Sequence, residues 1–350
     1  MGDQIFLERK NGRFAIVGKK CGDGIFGVAR MFLDALKNRK LAEKYRGEVV
    51  AKGALPPPSS VLNSYSGIAP LVTWIGHATF LIQVAGMTVL VDPLFSPLSC
   101  LFPRIVEPAC SLAQLPPIDC VLVSHNHFDH LDERALRFLA QKNAHMSICV
   151  PLGDEKWLRR LGYKTVVGWD WWESHLIRSS RTEQAMKCTF VPAIHWSRRG
   201  IFDYNRSLWG GWVIEMFGHT IYCAGDTAYG SHFQMIRAAF SRIDTTIIPI
   251  APSEPHDRLK DSHLSAEEAG EVYLELGAER FIPAHWGTFC FENVHPREPL
   301  RRLVAWWQEH KPAGVLSALN VGESVCCEVE SPIIMSPPYY VRPDMPLSNI

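Results

Sequence analysis

The sequence predicts a layered α/β fold with a metal site at the ends of its strands. Short runs of β-branched and other apolar residues alternate with segments of helical periodicity from about residue 70 to residue 284. This alternation is typical of helices packed on sheets. Four of the apolar runs lead into a histidine or an aspartate. The 350-residue chain is long enough for one large domain at 61–350 preceded by an extension at 1–60.

The composition is that of a packed globular enzyme, with 47% hydrophobic and 21% charged residues. Lys+Arg and Asp+Glu both number 36, so the formal net charge is zero. Because enzymes of nucleic acids usually carry a basic surface, no nucleic-acid partner is expected. The ten cysteines are scattered, and no apolar stretch resembles a signal peptide or reaches transmembrane length. We therefore expect a cytoplasmic protein, with or without peripheral membrane contact.

The amino-terminal extension is predicted to be helical. Residues 25–36 place apolar side chains at helical spacing, and the basic run 37–40 follows. This helix could pack on the main body or rest on a membrane surface, and the sequence leaves both interpretations open. The proline-rich stretch 54–60 is typical of a stiff linker.

Three β-branched runs at 71–75, 80–84 and 88–91 predict consecutive strands. His77 lies in the first turn, where it could make a backbone hydrogen bond or lie beside the metal site without binding the metal. Asp92 ends the third strand. It could orient a ligand histidine or cap the turn before Pro93.

The strongest motif is SHNHFDH at 124–130, directly after the buried-strand pattern of residues 120–123. It places four potential ligands within six residues: His125, His127, Asp129 and His130. Imidazole nitrogen and carboxylate oxygen are ligands that zinc and related metals accept. In a loop leaving a strand, this spacing can direct the side chains into two adjacent pockets.

Three later strand ends supply further ligands. The run 187–194 leads into His195, the hairpin of 212–216 and 220–224 leads into Asp226, and the run 280–284 leads into His285. Further strands are predicted at 147–151, 165–167 and 245–250, and helices at 131–141, 154–161, 231–240 and after the capping box of Ser265 and Glu268. The arginines of loop 198–206 could meet an anionic substrate or be solvated surface. The aromatic cluster 169–173 could pack against the rest of the protein or contact the substrate.

The seven donors suffice for two metals that share a carboxylate. Two such metals can share a water, lower its pKa and clamp the oxygens of an in-line displacement. This chemistry hydrolyses phosphodiesters, lactones, thioesters or amides.

The chain resembles the metallo-β-lactamase fold superfamily, and within it the phospholipases D that hydrolyse N-acylphosphatidylethanolamine. The similarity spans roughly residues 65–325. It is carried by TWIGHAT (73–79), LPPID (115–119), SHNHFDHL (124–131), DWWE (170–173), LWG (208–210), AGDT (224–227) and AHWGTF (284–289).

The resemblance implies a four-layer αββα sandwich that binds two zinc ions. One zinc would take His125, His127 and His195, the other Asp129, His130 and His285, and Asp226 would bridge both. It also implies attack of a bridging hydroxide on phosphorus, releasing phosphatidic acid and an N-acylethanolamine. Asp129 and Asp226 would then be catalytic as well as ligands. His263, in the pattern His-x-x-x-Glu-Glu-Ala, would lie near the scissile phosphate.

The implied partner is a phospholipid substrate, and the sequence is compatible with a homodimer. Three functions stay open: a lipid phosphodiesterase, another hydrolase of the same fold such as a sugar-lactone hydrolase or a soluble phosphodiesterase, and a nuclease or non-catalytic binding protein. Only 30 residues separate His195 from Asp226, too few for an inserted RNA-binding domain. The complete ligand set disfavours a non-catalytic module.

Overall fold

The computed structural model describes residues 5–19, 36, 38–46, 65–100, 102–143 and 146–328. The strands are β1 Leu7–Lys10, β2 Arg13–Ile16, β3 Leu71–Gly76, β4 Thr79–Val84, β5 Met87–Val91, β6 Cys120–Leu122, β7 Ser147–Pro151, β8 Val166–Trp169, β9 Ser174–Arg178, β10 Ala185–Val191, β11 Gly211–Met216, β12 His219–Cys223, β13 Thr245–Pro249, β14 Arg280–Ala284, β15 Val315–Leu316 and β16 Ser324–Cys326. The helices are α1 (described over 38–46), α2 Glu133–Lys142, α3 Glu155–Arg159, α4 His232–Ala239, α5 His256–Leu259, α6 Ala266–Leu276 and α7 Glu298–His310.

Two seven-stranded sheets form the centre of the molecule. Their strand orders are β16-β3-β4-β5-β6-β7-β8 and β15-β14-β13-β12-β11-β10-β9. Each sheet combines antiparallel strands, β16-β3-β4-β5 and β12-β11-β10-β9, with a parallel half, β5-β6-β7-β8 and β12-β13-β14-β15. The predicted αββα sandwich is confirmed.

The central strands are covered on both faces, which explains their nearly continuous apolar sequences. Every residue of β3, β4, β5 and β6 is buried, as expected for strands between a second sheet and a layer of helices. Apolar side chains of both sheets belong to one continuous core. On the outside of the second sheet, α6 packs against β13 and α7.

Most predicted elements are present within a few residues of their expected bounds. The capping box at the start of α6 is present: the Glu268 amide donates to Ser265 Oγ at 3.1 Å, and the Ser265 amide donates to Glu268 Oε2 at 2.8 Å. Of the aromatic cluster, Trp169 is fully buried and meets Trp212 edge-on at 5.1 Å, whereas Trp172 is exposed. Strands β1, β2, β9, β15 and β16 and helices α5 and α7 were not predicted.

The amino-terminal extension contains a hairpin, β1–β2, in addition to the helix α1. Its turn is Asn11-Gly12, with φ of 53° and 71°, the positive values that a two-residue hairpin turn requires. Phe14 and Ile16 insert into the main core, and the Phe14 amide donates to the carbonyl oxygen of Asn205 at 2.7 Å. The extension therefore packs against the main domain through its hairpin.

Helix α1 lies against the loop that follows β14, where Asn38 Nδ2 donates to the carbonyl oxygen of Phe291 at 2.9 Å. The predicted helix at 25–36, apart from residue 36, and the predicted linker at 54–60 lie outside the described residues. Among the described helices, none is long and apolar enough to cross a membrane.

Candidate metal centre

All seven predicted ligands meet in one cluster, although they come from four separate segments. The loop 124–130 leaves β6, His195 follows β10, Asp226 follows β12, and His285 comes directly after β14. In layered α/β folds the carboxyl ends of strands are the usual place for ligand sites. The site was predicted because its residues follow strands in the sequence. The same placement explains how the fold brings them together.

The first group of donors is His125, His127 and His195. His127 Nδ1 lies 2.9 Å from His125 Nε2 and 3.1 Å from His195 Nε2. Nitrogen atoms bound to one zinc at the usual bond length lie roughly 3.3 Å apart in a tetrahedral site. The three nitrogens are therefore close to the arrangement that a single metal needs.

The second group gathers around Asp129. Its Oδ2 lies 3.3 Å from His285 Nε2, 3.7 Å from His130 Nε2 and 3.1 Å from His77 Nε2. The structure thus brings the predicted donors Asp129, His130 and His285 together and adds His77 beside them.

The carboxylate of Asp226 lies between the two groups. Its Oδ2 is 3.3 Å from His130 Nε2, 3.8 Å from His195 Nε2 and 3.9 Å from His125 Nε2. Its Oδ1 is 3.4 Å from His285 Nε2. One buried carboxylate therefore contacts histidines of both groups, as a ligand shared between two cations would.

Unsatisfied polar atoms show that the cluster fits a bound cation. Within the described part of the chain, Asp226 Oδ1, His130 Nε2 and His285 Nε2 are buried and make no hydrogen bond. Buried polar groups in folded proteins are nearly always paired. Carboxylate and imidazole donors of this kind are satisfied by a divalent metal such as zinc.

The electrostatics of the cluster also favour positive charge. Burial would raise the pKa of Asp226, but His285 and His130 beside it hold that pKa well below its usual range. Burial lowers the pKa of His127 to about 4 and that of His195 well below the ordinary value, so both are neutral at pH 7 with lone pairs free to bind a metal. His130 differs: burial lowers its pKa, yet Asp226 and Asp129 raise it well above the usual value overall.

Three of the predicted ligand histidines are oriented by hydrogen bonds at their Nδ1 atoms, and that of His125 lies 2.9 Å from Ser124 Oγ. His130 Nδ1 donates to Asp92 Oδ2 at 2.8 Å, and Asp92 also accepts from the amide and hydroxyl of Ser124 at 2.7 and 2.6 Å. His195 Nδ1 donates to the carbonyl oxygen of Ser262 at 2.8 Å. Such partners fix the tautomer that leaves Nε2 free for the metal. Of the two roles predicted for Asp92, the structure shows that of an orienting carboxylate.

Three residues of the cluster have a left-handed backbone, which is uncommon outside glycine. The φ angles are 56° at His77, 42° at Asp92 and 64° at His285. Tertiary hydrogen bonds hold these conformations: the His77 amide donates to Thr288 Oγ1 at 2.8 Å, and the His285 amide donates to the carbonyl oxygen of His77 at 3.2 Å.

The ligand loop is supported by its neighbours. Asn126 donates through Nδ2 to Asp154 Oδ1 at 3.1 Å. Arg199 Nη1 donates to the carbonyl oxygens of Asn126 and Leu131 at 3.1 and 2.7 Å, and its guanidinium stacks on Phe128 at 4.5 Å. Arg199 therefore stabilises the loop 124–130. This role differs from the two that were predicted for the arginines of loop 198–206.

His263 lies at the edge of the cluster, with its Nδ1 3.7 Å from Asp226 Oδ2 and its ring centroid 5.1 Å from that of His195. Its side chain is 14% exposed. Burial lowers its pKa to about 4, although Asp226 opposes the shift. A neutral imidazole in this position is better suited to donate a hydrogen bond than to deliver a proton.

Comparison with known proteins places these features in a family. Residues 87–286 match the model described as a β-lactamase superfamily domain. The chain is 31% identical over 277 residues to the N-acyl-phosphatidylethanolamine-hydrolyzing phospholipase D 1 of Caenorhabditis elegans, covering 75% of this chain and 76% of that protein. It is 30% identical over 260 residues to the mitochondrial enzyme of the same description from Saccharomyces cerevisiae, covering 71% of this chain and 55% of the yeast protein.

A solved structure agrees at the level of the fold. A metallo hydrolase from the archaeon Ignicoccus hospitalis superimposes with a TM-score of 0.58 and 20% identity, covering 75% of this chain and all of that one.

Proposed function

Because this chain belongs to the β-lactamase superfamily of metal-dependent hydrolases, we propose that it is a phospholipase D that cleaves N-acylphosphatidylethanolamine-like phospholipids. The products would be phosphatidic acid and an N-acylethanolamine. The observation that carries the proposal is the match over three quarters of the chain to a relative described by that activity. In this chain the seven potential donors, Asp226 among them, lie together in one cluster.

The proposed cofactor is a pair of zinc ions. His125, His127 and His195 would hold one ion, Asp129, His130 and His285 the other, and Asp226 both. When bound, the two ions supply Lewis-acid stabilisation of the phosphodiester oxygens and a water of lowered pKa. The arrangement of Asp226 between the two groups supports this assignment.

The protein's own residues have defined tasks in this proposal. Asp226 and Asp129 would supply the negative charge that offsets the positive charge of bound cations. His263, neutral and partly exposed at the rim, donates a hydrogen bond to a phosphate oxygen of the substrate. Hydrogen bonds of this kind stabilise charge that develops on the phosphoryl oxygens.

The surface beside the centre supports contact with a lipid bilayer. Phe128, in the ligand loop, is 57% exposed, and Ile201 and Phe202 are 68% and 80% exposed. Arg13 of the amino-terminal hairpin donates through Nη2 to the carbonyl oxygen of Phe202 at 3.1 Å, and Arg198 lies in the same loop. Apolar tips with neighbouring arginines suit the interface of an anionic membrane. We propose this surface as the peripheral membrane contact.

The test is hydrolysis by zinc-loaded protein of a panel of substrates: N-acylated phosphatidylethanolamine and unacylated phospholipids in vesicles, a soluble phosphodiester, sugar lactones and short RNAs. Release of N-acylethanolamine, detected by mass spectrometry, is expected to be the fastest reaction. Turnover of a lactone without cleavage of the N-acylated lipid would overturn the proposal and favour the lactone-hydrolase alternative.

The membrane contact is tested separately with the double variant Ile201→Asp/Phe202→Asp. Activity on vesicles should fall about tenfold because two apolar side chains can no longer enter the interface, whereas activity on the soluble diester should not change. The control is Leu176→Asp, which alters a side chain that is 61% exposed on the edge strand β9. Equal activity of the double variant and the control on vesicles would exclude this surface.

A further inference from the structure

His77 is a buried histidine of the metal centre that the proposed reaction does not use. It lies in the turn between β3 and β4 and is only 1% exposed. Its Nε2 lies 3.1 Å from Asp129 Oδ2, and its ring centroid is 3.9 Å from that of His285.

The backbone of His77 connects two parts of the centre. Its amide donates to Thr288 Oγ1 at 2.8 Å. Its carbonyl oxygen accepts from Trp74 Nε1 at 2.8 Å and from the His285 amide at 3.2 Å. The turn of the first sheet is therefore fixed to the end of β14 in the second sheet. These backbone hydrogen bonds fix the position of the His77 residue, so that its imidazole lies beside Asp129.

His77, Asp129, His130 and His285 offer donor atoms within 4.8 Å of one another, so the contacts of His77 with the rest of the centre bear on whether it orients a ligand or is one. The described histidines within 4.0 Å of the Asp226 carboxylate are His125, His130, His195, His263 and His285. His77 is not among them and makes its close polar side-chain contact with Asp129. It therefore lies on the outer side of Asp129, away from the carboxylate that both groups of donors share.

We propose that His77 is a positioning residue that donates an Nε2–H hydrogen bond to Asp129 Oδ2 and holds this carboxylate in its metal-binding orientation. An ionised carboxylate only accepts hydrogen bonds, so the proton of this contact belongs to His77. With one lone pair of Oδ2 occupied and the rotation of the carboxylate restricted, Asp129 presents its remaining lone pairs to the metal. The inference extends the proposed function, because it needs a metal at the group that contains Asp129.

The experiment compares His77→Gln with His77→Ala. A glutamine amide reaches about as far as Nε2 and can donate the same hydrogen bond, but it is a poor zinc ligand. Zinc affinity is measured by competition with a chromophoric chelator. Cobalt substitution then gives an absorption spectrum that reports on the geometry of the bound ion. Melting temperatures of the metal-free proteins show whether folding is affected.

If His77 orients Asp129, His77→Ala should lower the affinity for one of the two zinc equivalents by about 10- to 100-fold. It should also change the cobalt spectrum. His77→Gln should restore affinity to within about threefold and restore the spectrum. Equal losses in both variants would mean that His77 is itself a ligand, and unchanged affinity in both would mean that its role is structural. Either result overturns the proposal. Failure of the wild-type protein to bind two equivalents would instead contradict the proposed binuclear centre.

Discussion

Replacement of Asp92 by asparagine should cost metal affinity without moving any ligand out of the site. Asp92 is 1% exposed and accepts three hydrogen bonds, one at Oδ1 from the Ser124 amide and two at Oδ2 from Ser124 Oγ and His130 Nδ1. Asparagine can keep the acceptor at Oδ1, but its NH₂ group then replaces Oδ2. Asparagine also tolerates the left-handed backbone at this position at least as well as aspartate.

The NH₂ group reverses the hydrogen bond to His130. It must donate to Nδ1, so the proton of the neutral imidazole moves to Nε2, the atom that faces Asp129 and Asp226. An imidazole protonated at Nε2 has no lone pair there for a metal. Loss of such an orienting partner costs about 10- to 100-fold in metal affinity, which corresponds to about 1.4–2.7 kcal/mol.

The measurement is a zinc titration against a chromophoric chelator. One of two equivalents should weaken by that factor, and the other, at His125, His127 and His195, should weaken less. Asp244→Asn is the matched control, because Asp244 is also buried and accepts from the Thr220 amide at 2.7 Å, but precedes β13 at the end remote from the site. Wild-type affinity in Asp92→Asn, or an equal loss in the control, would refute the reasoning.

Three further results are expected. Asp226→Asn should lower activity more than any other single change and reduce bound metal below two equivalents by elemental analysis, because it removes the charge shared by both donor groups; full activity without transition metal would contradict this. His263→Ala should reduce turnover about tenfold or more while metal content and melting temperature stay near wild type, and wild-type turnover would leave this residue a structural role. Burial raises the pKa of Asp154 from 3.8 to about 6, so the unfolded chain loses this proton first and stability declines as the pH rises between those values. Asp154→Asn keeps the contacts to Asn126 and Ser207 but cannot ionise. In urea unfolding, its free energy of unfolding relative to wild type should therefore increase by about 1 kcal/mol between about pH 5 and about pH 7.5. A difference in free energy that stays constant over this range would exclude the raised pKa.

The sequence predicted well which residues would lie together in the cluster, because each of them is tied to a local pattern. His125, His195, Asp226 and His285 follow apolar runs that could be recognised as strands without any tertiary information. Their convergence then follows from the fold class, since strands of a layered α/β domain place their ends along one edge.

The contacts that were not predicted join distant segments. His77 and Asp129 are in contact although they are 52 positions apart in the sequence. No local pattern determines toward which side of the turn a histidine side chain points. Strand β9 was missed because it is an edge strand with four of five residues exposed, so it lacks an apolar run. The Asn11-Gly12 turn is a sequence signal of the amino-terminal hairpin. The hairpin was not predicted because its apolar residues alternate over only four positions and a helical pattern follows downstream.

The left-handed backbone at His77, Asp92 and His285 affects how the site would respond to the removal of bound metal. Conformations of this kind cost about 1–3 kcal/mol each. Here the backbone amides of the three residues offset that cost during folding, because they donate hydrogen bonds to Thr288 Oγ1 and to the carbonyl oxygens of His77 and Leu122. The free energy of the metal is then not needed to shape the loops. A chelator should therefore strip the protein to a folded apoenzyme whose cavity keeps its outline, and activity should return as fast as the ions diffuse in. A protein built in this way would be able to exchange a bound metal without refolding.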